Sequence, residues 1–446
     1  MIAKRITRRR FVTMSAASSA SALAAPFVRT AYAAGKLSVG FWDHWVPGSN
    51  NVVRSLVDEW AAKEKVDVQV DFITSQGNKL LLTIAAEEQA KAGHDILSMG
   101  TWAPAQRALN LEPVDDIMGD LIKQNGAINA TVEYLGKIDG RWLAVPSTAG
   151  SQMKGPVSRL DLMKQHAGID IQAMYPTAEA PKAEAWTLDA FLKAAQACHK
   201  AGYPFGIGLG TTADSVDTAG ALFASFGAVL ADTRLNITVK SDPVRQALEY
   251  CTKLASFYPQ DSPAWDDASN NKWLVAGKGA LILNPPSAWA VALRDAPQVA
   301  EQCWHHGMPS GPKGRFGPFL QFFWGIWSFG KNKSAAKSLL RHLSTPDAAF
   351  RMVEGSKGYD IPSFANFTTF KTWGEAGPPK GTLYHYSNPH NHQILSIAGA
   401  PSPHKIAVQI YSQAIMTKMI VRHLQGEPME KTLSWAEGEI EGFMRT

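Results

Sequence analysis

The sequence predicts an α/β fold: mixed, mainly parallel sheets flanked by helices and divided among two or three domains. Three observations predict it. Strand-like and helix-like stretches alternate between residues 36 and 100, the pattern of a parallel sheet covered by helices. About 410 residues follow an N-terminal leader, more than one core usually serves. Hydrophobic residues make up 45% of the chain, yet no later run reaches the ~20 apolar residues that span a bilayer.

The leader comes first. Thr7-Arg8-Arg9-Arg10-Phe11-Val12 fits the twin-arginine export pattern, a weakly apolar Ala/Ser segment follows, and Ala31-Tyr32-Ala33 supplies a small-x-small cleavage signal. Residues 1–33 are therefore expected to be a twin-arginine signal peptide, with the mature chain starting near Ala34. A membrane anchor is disfavoured by Pro26 and by the Ser and Ala content. The leader carries six basic residues and no acidic ones, so its removal takes 44 basic residues to 38, against 39 acidic. The +5 of the whole chain thus gives no argument for nucleic-acid or membrane binding.

Leu37–Phe41 reads as the first strand. Val52, Val53, Leu56, Val57, Trp60 and Ala61 recur at helical spacing. Residues 66–72 alternate at period two, as a half-covered strand does. Lys79 to Ala92 predicts a helix stopped by Gly93, and Asp95–Met99 a short buried strand. The loop Phe41-Trp42-Asp43-His44-Trp45 then lies outside the carboxyl end of a strand, where open α/β sheets bind ligands, and Trp102 leaves the third strand at the same edge. Alternation along the strand allows only one of Trp42 and Asp43 to face the cleft.

Further along, Gly140–Pro146 reads as a strand that leads into a polar crossover. Thr187 is an N-cap for the next helix. Phe205–Gly210 reads as a glycine-rich strand without the lysine of a phosphate loop. Asp242–Tyr258 predicts an amphipathic helix with Pro243 in its first turn. Residues 273–284 read as helix end, turn and strand, followed by a rigid Pro285-Pro286 turn that ends in Trp289. A helix runs from the Lys331-Asn332-Lys333 segment to Leu343, and helices cover 402–424 and 429–443. Cys198, Cys251 and Cys303 form no CxxC; either two of them pair or all three are buried thiols.

Several of these pieces, in this order, resemble the periplasmic solute-binding proteins of ABC importers, the maltose-binding-protein-like group of extracellular solute-binding protein family 1. The landmarks are Ala90-Lys91-Ala92-Gly93-His94-Asp95-Ile96 (His94 stands where the family has proline), Asp139–Pro146 and Trp186–Phe191. Ala276–Leu281, Asn284–Trp289, Gly325–Phe329, Lys331–Lys333 and Gly358–Pro362 complete the series. The resemblance implies a type II two-lobe binding fold with about three hinge crossovers. The N-terminal lobe would be 35–146 plus 325–362, and the C-terminal lobe 147–324 plus 363–446.

The implied function is a periplasmic receptor that closes on a carbohydrate and delivers it to an ABC permease, acting as a monomer without a cofactor. Fourteen tryptophans are many for this length, and most belong in cores. Trp42, Trp45, Trp102 and Trp289 follow strands, and Trp324 lies near a crossover; an indole face suits the C–H face of a sugar ring. Asp43, His44, Gln76, Asn284 and Asp360 are the candidates to bind hydroxyls. The alternatives are another solute on the same fold (a polyol, a sugar acid or phosphate, an organic cation) and a periplasmic glycoside hydrolase. The hydrolase would use Asp43 with Asp360 or Glu354 as a carboxylate pair. Neither Gly-x-Ser-x-Gly nor HExxH occurs, and no enzyme is expected. A metal could be sought only at His305-His306 or at His385, His390 and His392; none is expected.

Overall fold

The computed structural model describes residues 35–445 apart from 177–180, 371 and 373–392. The leader and the His385, His390 and His392 segment lie outside the described residues. Strand β1 (Lys36–Trp42) pairs in parallel with β2 (Asp67–Ile73) along its whole length, and β3 (Ile96–Gly100) lies parallel on its other side. Between them, α1 (Ser49–Glu64) buries Val53, Leu56, Val57 and Trp60, and α2 (Lys79–Ala90) buries Leu80 and Ile84. Helix α3 (Asp115–Asn125) follows. The predicted strand 140–146 is two short pieces, of which β4 (Val145–Pro146) joins this sheet.

The chain then enters a second set of strands, β5 (Gln152–Met153) and β6 (Pro156–Arg159). Helices α4 (Leu188–Lys200), α5 (Ala213–Ser225), α6 (Asp242–Ala255) and α7 (Ser269–Val275) lead to β7 (Leu281–Leu283). Helix α8 (Ser287–Asp295), β8 (Cys303–His305) and β9 (Gly314–Leu320) follow. Strand β10 (Phe322–Ile326) returns to the first sheet, whose order is β2-β1-β3-β10-β4, and α9 (Lys333–Leu343) and α10 (Pro346–Gly355) pack on it. The chain crosses again to β11 (Ile394–Ser396) and ends in α11 (His404–Ser412), α12 (Ile415–Leu424) and α13 (Met429–Arg445). The sheets are mixed. Among the strand pairs of the described residues, beyond those of β1, only β9 with β11 is parallel; β6 pairs antiparallel with β7 and β8.

Separate cores follow these sheets. One gathers Leu37, Val39, Phe41, Trp60, Ile96 and Trp324; another gathers Trp186, Phe191, Phe205, Leu248 and Met419. Thr187 caps α4 through the Ala190 amide at 3.2 Å, as expected. The 402–424 helix is broken at Ala414, which takes a left-handed φ of 51°. Phe205–Gly210 is not a strand and makes a single bridge from Gly206 to Ile282. Its glycines serve close packing instead: a Cβ on Gly206 would overlap the Trp273 ring, and one on Gly210 the Trp265 carbonyl. All three cysteines are buried free thiols, and burial raises Cys198 to about 11 and Cys303 to about 12. Among the described residues no helix is long and apolar enough to cross a membrane.

Gly93 does not end α2 as its sequence position suggests. Lys91 does so, with φ 51°, while a Cβ on Gly93 would collide with the Glu87 side chain. That side chain is the centre of a clamp. Glu87 accepts from the Trp327 indole at 2.9 Å and meets His94 Nδ1, while His94 Nε2 lies 3.1 Å from Asp71. Burial works against charge on His94, but Glu87 and Asp71 outweigh it and raise its pKa. A group raised on folding stabilises below its unfolded pKa, near 6.5, and that contribution fades as pH rises through the folded value. His94→Gln is therefore expected to cost about 1.5–3 kcal/mol at pH 6. The gap to the parent should narrow by pH 8.5, as read by urea unfolding at both pH values; a gap that widens with pH refutes the clamp.

Three passages connect the two sets of strands, at 147–151, at Gln321 and after α10, and hydrogen bonds tie them together. The buried Gln321 amide donates to the Ser147 carbonyl at 3.4 Å and accepts from the Ser363 hydroxyl at 3.0 Å. The Phe322 amide donates to Ser151 Oγ at 3.0 Å, and the Ile361 amide to the Ser151 carbonyl at 2.9 Å.

Candidate functional site

The carboxyl ends of β1, β2 and β3 face the loops before α5, before α7 and after β7 across a cavity of about 400 Å³. A second cavity of about 670 Å³ adjoins it. Trp45, Ser75, Asn78, Thr212, Asp267 and Asn271 line both, so the two form one continuous trough with Trp45 at the junction. The site is thus a groove between two α/β halves, at the sheet edge where such folds bind ligands.

The first wall is aromatic. Trp42 stacks on Phe322 at 5.1 Å and on Tyr359 at 6.1 Å, and packs against His44 at 4.9 Å. It is 6% exposed, and its buried indole Nε1–H has no acceptor among the described residues. Trp102 lies at the cavity floor, with its indole N–H donated to the Ala398 carbonyl at 3.2 Å. His44 lines the adjoining cavity. Its Nδ1 accepts from the Val46 amide at 2.9 Å, which leaves Nε2 to donate to Asp360 Oδ1 at 3.0 Å. Asp360 is fully enclosed and also accepts from the Gly150 amide at 2.8 Å.

The opposite wall is polar and charged. Asn284 and Asn271 are joined amide to amide at 2.6 Å. Behind them Lys154, 1% exposed, places its ammonium 2.8 Å from Asp214 and 2.9 Å from Asp217. Burial opposes the lysine charge, but Asp214 and Asp217 overcome it and raise its pKa. Burial raises Asp217 despite that lysine, and Tyr411 hydrogen-bonds to it. Asp267 is pushed up to about 6, by burial first and then by the charge of Asp214.

The sequence-based candidates separate into two groups. Trp42, Trp45, Trp102 and Asn284 line the first cavity, and His44, Trp45 and Gln76 the second. Four lie elsewhere. Asp43 turns away from the groove and accepts from Asn50 at 2.7 Å, as strand alternation requires once Trp42 faces in. Asp360 sits behind His44. Trp289 stands on helix α8, because the proline pair starts a helix rather than a turn, and packs against Leu274 and Ala292. Trp324 is 1% exposed within the first core, 6.1 Å from Phe41.

Lys154, Asp214, Asp267, Tyr359 and Tyr411 were not expected. Lys154 carries no local signal, since a single lysine in a crossover reads as solvated; only its burial between two carboxylates distinguishes it. Thr212 and Asp214 form an ordinary helix start, with Thr212 accepting from the Ser215 amide.

Among the described residues, no cluster of three His, Cys, Asp or Glu is placed to hold a metal. His306 is bonded to Ser158 at 2.8 Å, and burial lowers His305 to about 3.

A two-sided groove with an aromatic wall and a polar wall defines a solute-binding α/β protein. The chain belongs to the bacterial extracellular solute-binding proteins, whose family model matches residues 56–377. This is a family of transport binding proteins that act outside the cytoplasm. No curated protein matches the chain. Among solved structures, it is similar to the maltose-bound MalE3 of T. maritima, with 16% identity and a TM-score of 0.71 over 92% of this chain and 99% of that one. It is also similar to a solute-binding protein of Thermotoga lettingae bound with α-D-tagatose, with 16% identity and a TM-score of 0.72 over 92% and 99%. A sugar transporter of Arthrobacter chlorophenolicus with bound laminaribiose shares 12% identity, with a TM-score of 0.68 over 92% and 99%. The two-lobe fold is thus that of the maltose-binding-protein-like group.

Proposed function

We propose that this chain is the receptor of an ABC importer for a carbohydrate, exported by the twin-arginine route and working in the periplasm as a monomer without catalysis. The observation that carries the reading is the groove itself. Trp45 stands at its centre, Trp42 backed by the buried Tyr359 lines one side, and Asn271, Asn284, Asp214 and Thr212 line it as well. Flat apolar platforms opposite hydroxyl-binding groups match the two-faced chemistry of a sugar ring. The sugars named for the similar structures agree with this reading.

The lobes would be 35–146 with 322–362, and 147–321 with 363–446. The membership of β10 in the first sheet supports setting the second passage at Gln321. Closure would be a hinge motion about the three passages, with the closed form docking on the permease. Thermal-shift screening of the mature chain from Ala34 tests the reading. A matching sugar at 100 times its Kd should add about 2.7 kcal/mol of stability, a rise of several degrees in Tm. A panel in which only non-sugar solutes shift Tm would reject it.

A further inference from the structure

Among the described residues, the polar wall of the groove carries more negative charge than its cations balance. Asp214, Asp217 and Asp267 share one ammonium, that of Lys154, which is spent on the first two at 2.8 and 2.9 Å. Asp214 and Asp267 both line the first cavity, and Asp267 lines the adjoining one as well. The other cations nearby are engaged: Arg107 lies 2.7 Å from Glu88, and Arg294 lies 2.6 Å from Asp295. Lys272 acts on Asp266. Buried like charges left with one counter-ion are costly unless something else supplies positive charge.

Three independent features of the same cavity point to a ligand that supplies it. Asp267 Oδ1 is buried and has no hydrogen-bond partner among the described residues. The Trp42 indole N–H, on the other wall, is buried and has no acceptor among the described residues. Trp45, partly exposed at the junction of the two cavities that Asp267 also lines, offers an indole ring, a surface that attracts a cation by its quadrupole.

We propose that the solute carries a cationic nitrogen, held between the Asp214 and Asp267 carboxylates and the aromatic wall, so that the carbohydrate is an amino sugar or imino sugar. The inference rests on the carbohydrate reading and narrows it. The ammonium donates to the free oxygen of Asp267 while a ring hydroxyl accepts from Trp42 Nε1. Asp267, raised to about 6, is ionised at neutral pH and offers its charge to the cation. The charged groups acting on it are Asp214 on α5, Lys154 beyond β5 and Asp266 beside it, with Thr212 hydrogen-bonded to it.

Titration calorimetry on the mature chain with matched pairs tests this: glucosamine against glucose, 1-deoxynojirimycin against 1-deoxyglucose, and the glucosamine disaccharide against cellobiose. The ratio of affinities within a pair is the readout. At pH 7.5 the amine should bind about tenfold tighter or more. The ratio should fall as pH drops below about 6, because protonation of Asp267 removes the charge the amine needs. Asp267→Asn should bring the ratio near one while leaving the melting temperature close to the parent's, and Asp214→Asn should lower it. Neutral sugars that bind as tightly as their amines overturn the inference and leave the carbohydrate reading intact. A series in which neither member of any pair binds overturns both.

Discussion

Replacing Lys154 with methionine is expected to cost about 3–5 kcal/mol of stability at pH 8. The change is close in volume and removes the charge together with the hydrogen bonds that the ammonium donates to Asp214 and Asp217. Its partners cannot follow it out: Asp217 is 0% exposed and has no route to water, and Asp214 is mostly buried. Burial already raises Asp217 with the lysine present, so without it the carboxyl is driven further toward its neutral form. An acid whose folded pKa lies above its unfolded one destabilises increasingly as pH rises through that interval. The deficit of Lys154→Met should therefore shrink between pH 8 and pH 5. Asp217→Asn in the Lys154→Met background should recover part of the loss, since it removes the charge left behind. Urea unfolding of the three chains at both pH values measures this. A loss below about 1 kcal/mol at pH 8 would mean that water or a counter-ion already reaches the pair.

Trp45→Ala is expected to weaken solute binding by about 30- to 1,000-fold, the 2–4 kcal/mol of a central aromatic anchor. Trp45 is half-buried and lines both cavities, so truncation opens the junction of the trough without hollowing a core. Stability should change little. Trp324→Phe provides the contrast: it should lower stability through the core and leave affinity unchanged, because the ring touches neither cavity. Calorimetry with whichever sugar raises Tm most gives both affinities. A loss under threefold for Trp45→Ala would remove the ring from the recognition surface.

The aromatic half of the groove was legible in the sequence because it follows strands. Period-two alternation and the parallel sense of β1 and β3 place Trp42, Trp45 and Trp102 at one sheet edge with no tertiary information. The same alternation assigns Asp43 to the far side once Trp42 faces in. The polar half was not legible. Lys154, Asp214 and Asp267 come from a crossover, a helix start and a loop, and nothing in their local pattern marks them as neighbours. Trp324 and Trp289 show the opposite failure. Their side chains depend on which sheet β10 joins and on whether Pro285-Pro286 opens a helix, both settled by packing. The glycines of 205–210 misled because close approach to Trp273 and Trp265 leaves the same composition as a flexible strand.

The two hydrogen bonds that Asp360 accepts, from His44 and from the Gly150 amide, have a mechanical meaning in the proposed receptor. His44 stands beside Trp42 on the binding wall, while Gly150 belongs to the first passage between the halves. Handle and fulcrum are therefore one rigid piece, two bonds long. A solute that presses on the aromatic wall loads the pivot without any loop having to relay the signal. Gln321 and Ser151 tie the other two passages to the same point, so in the proposed closure the three would turn together. A partner reading the outer surface would then meet two discrete outlines, vacant and filled, instead of a continuum of half-closed shapes.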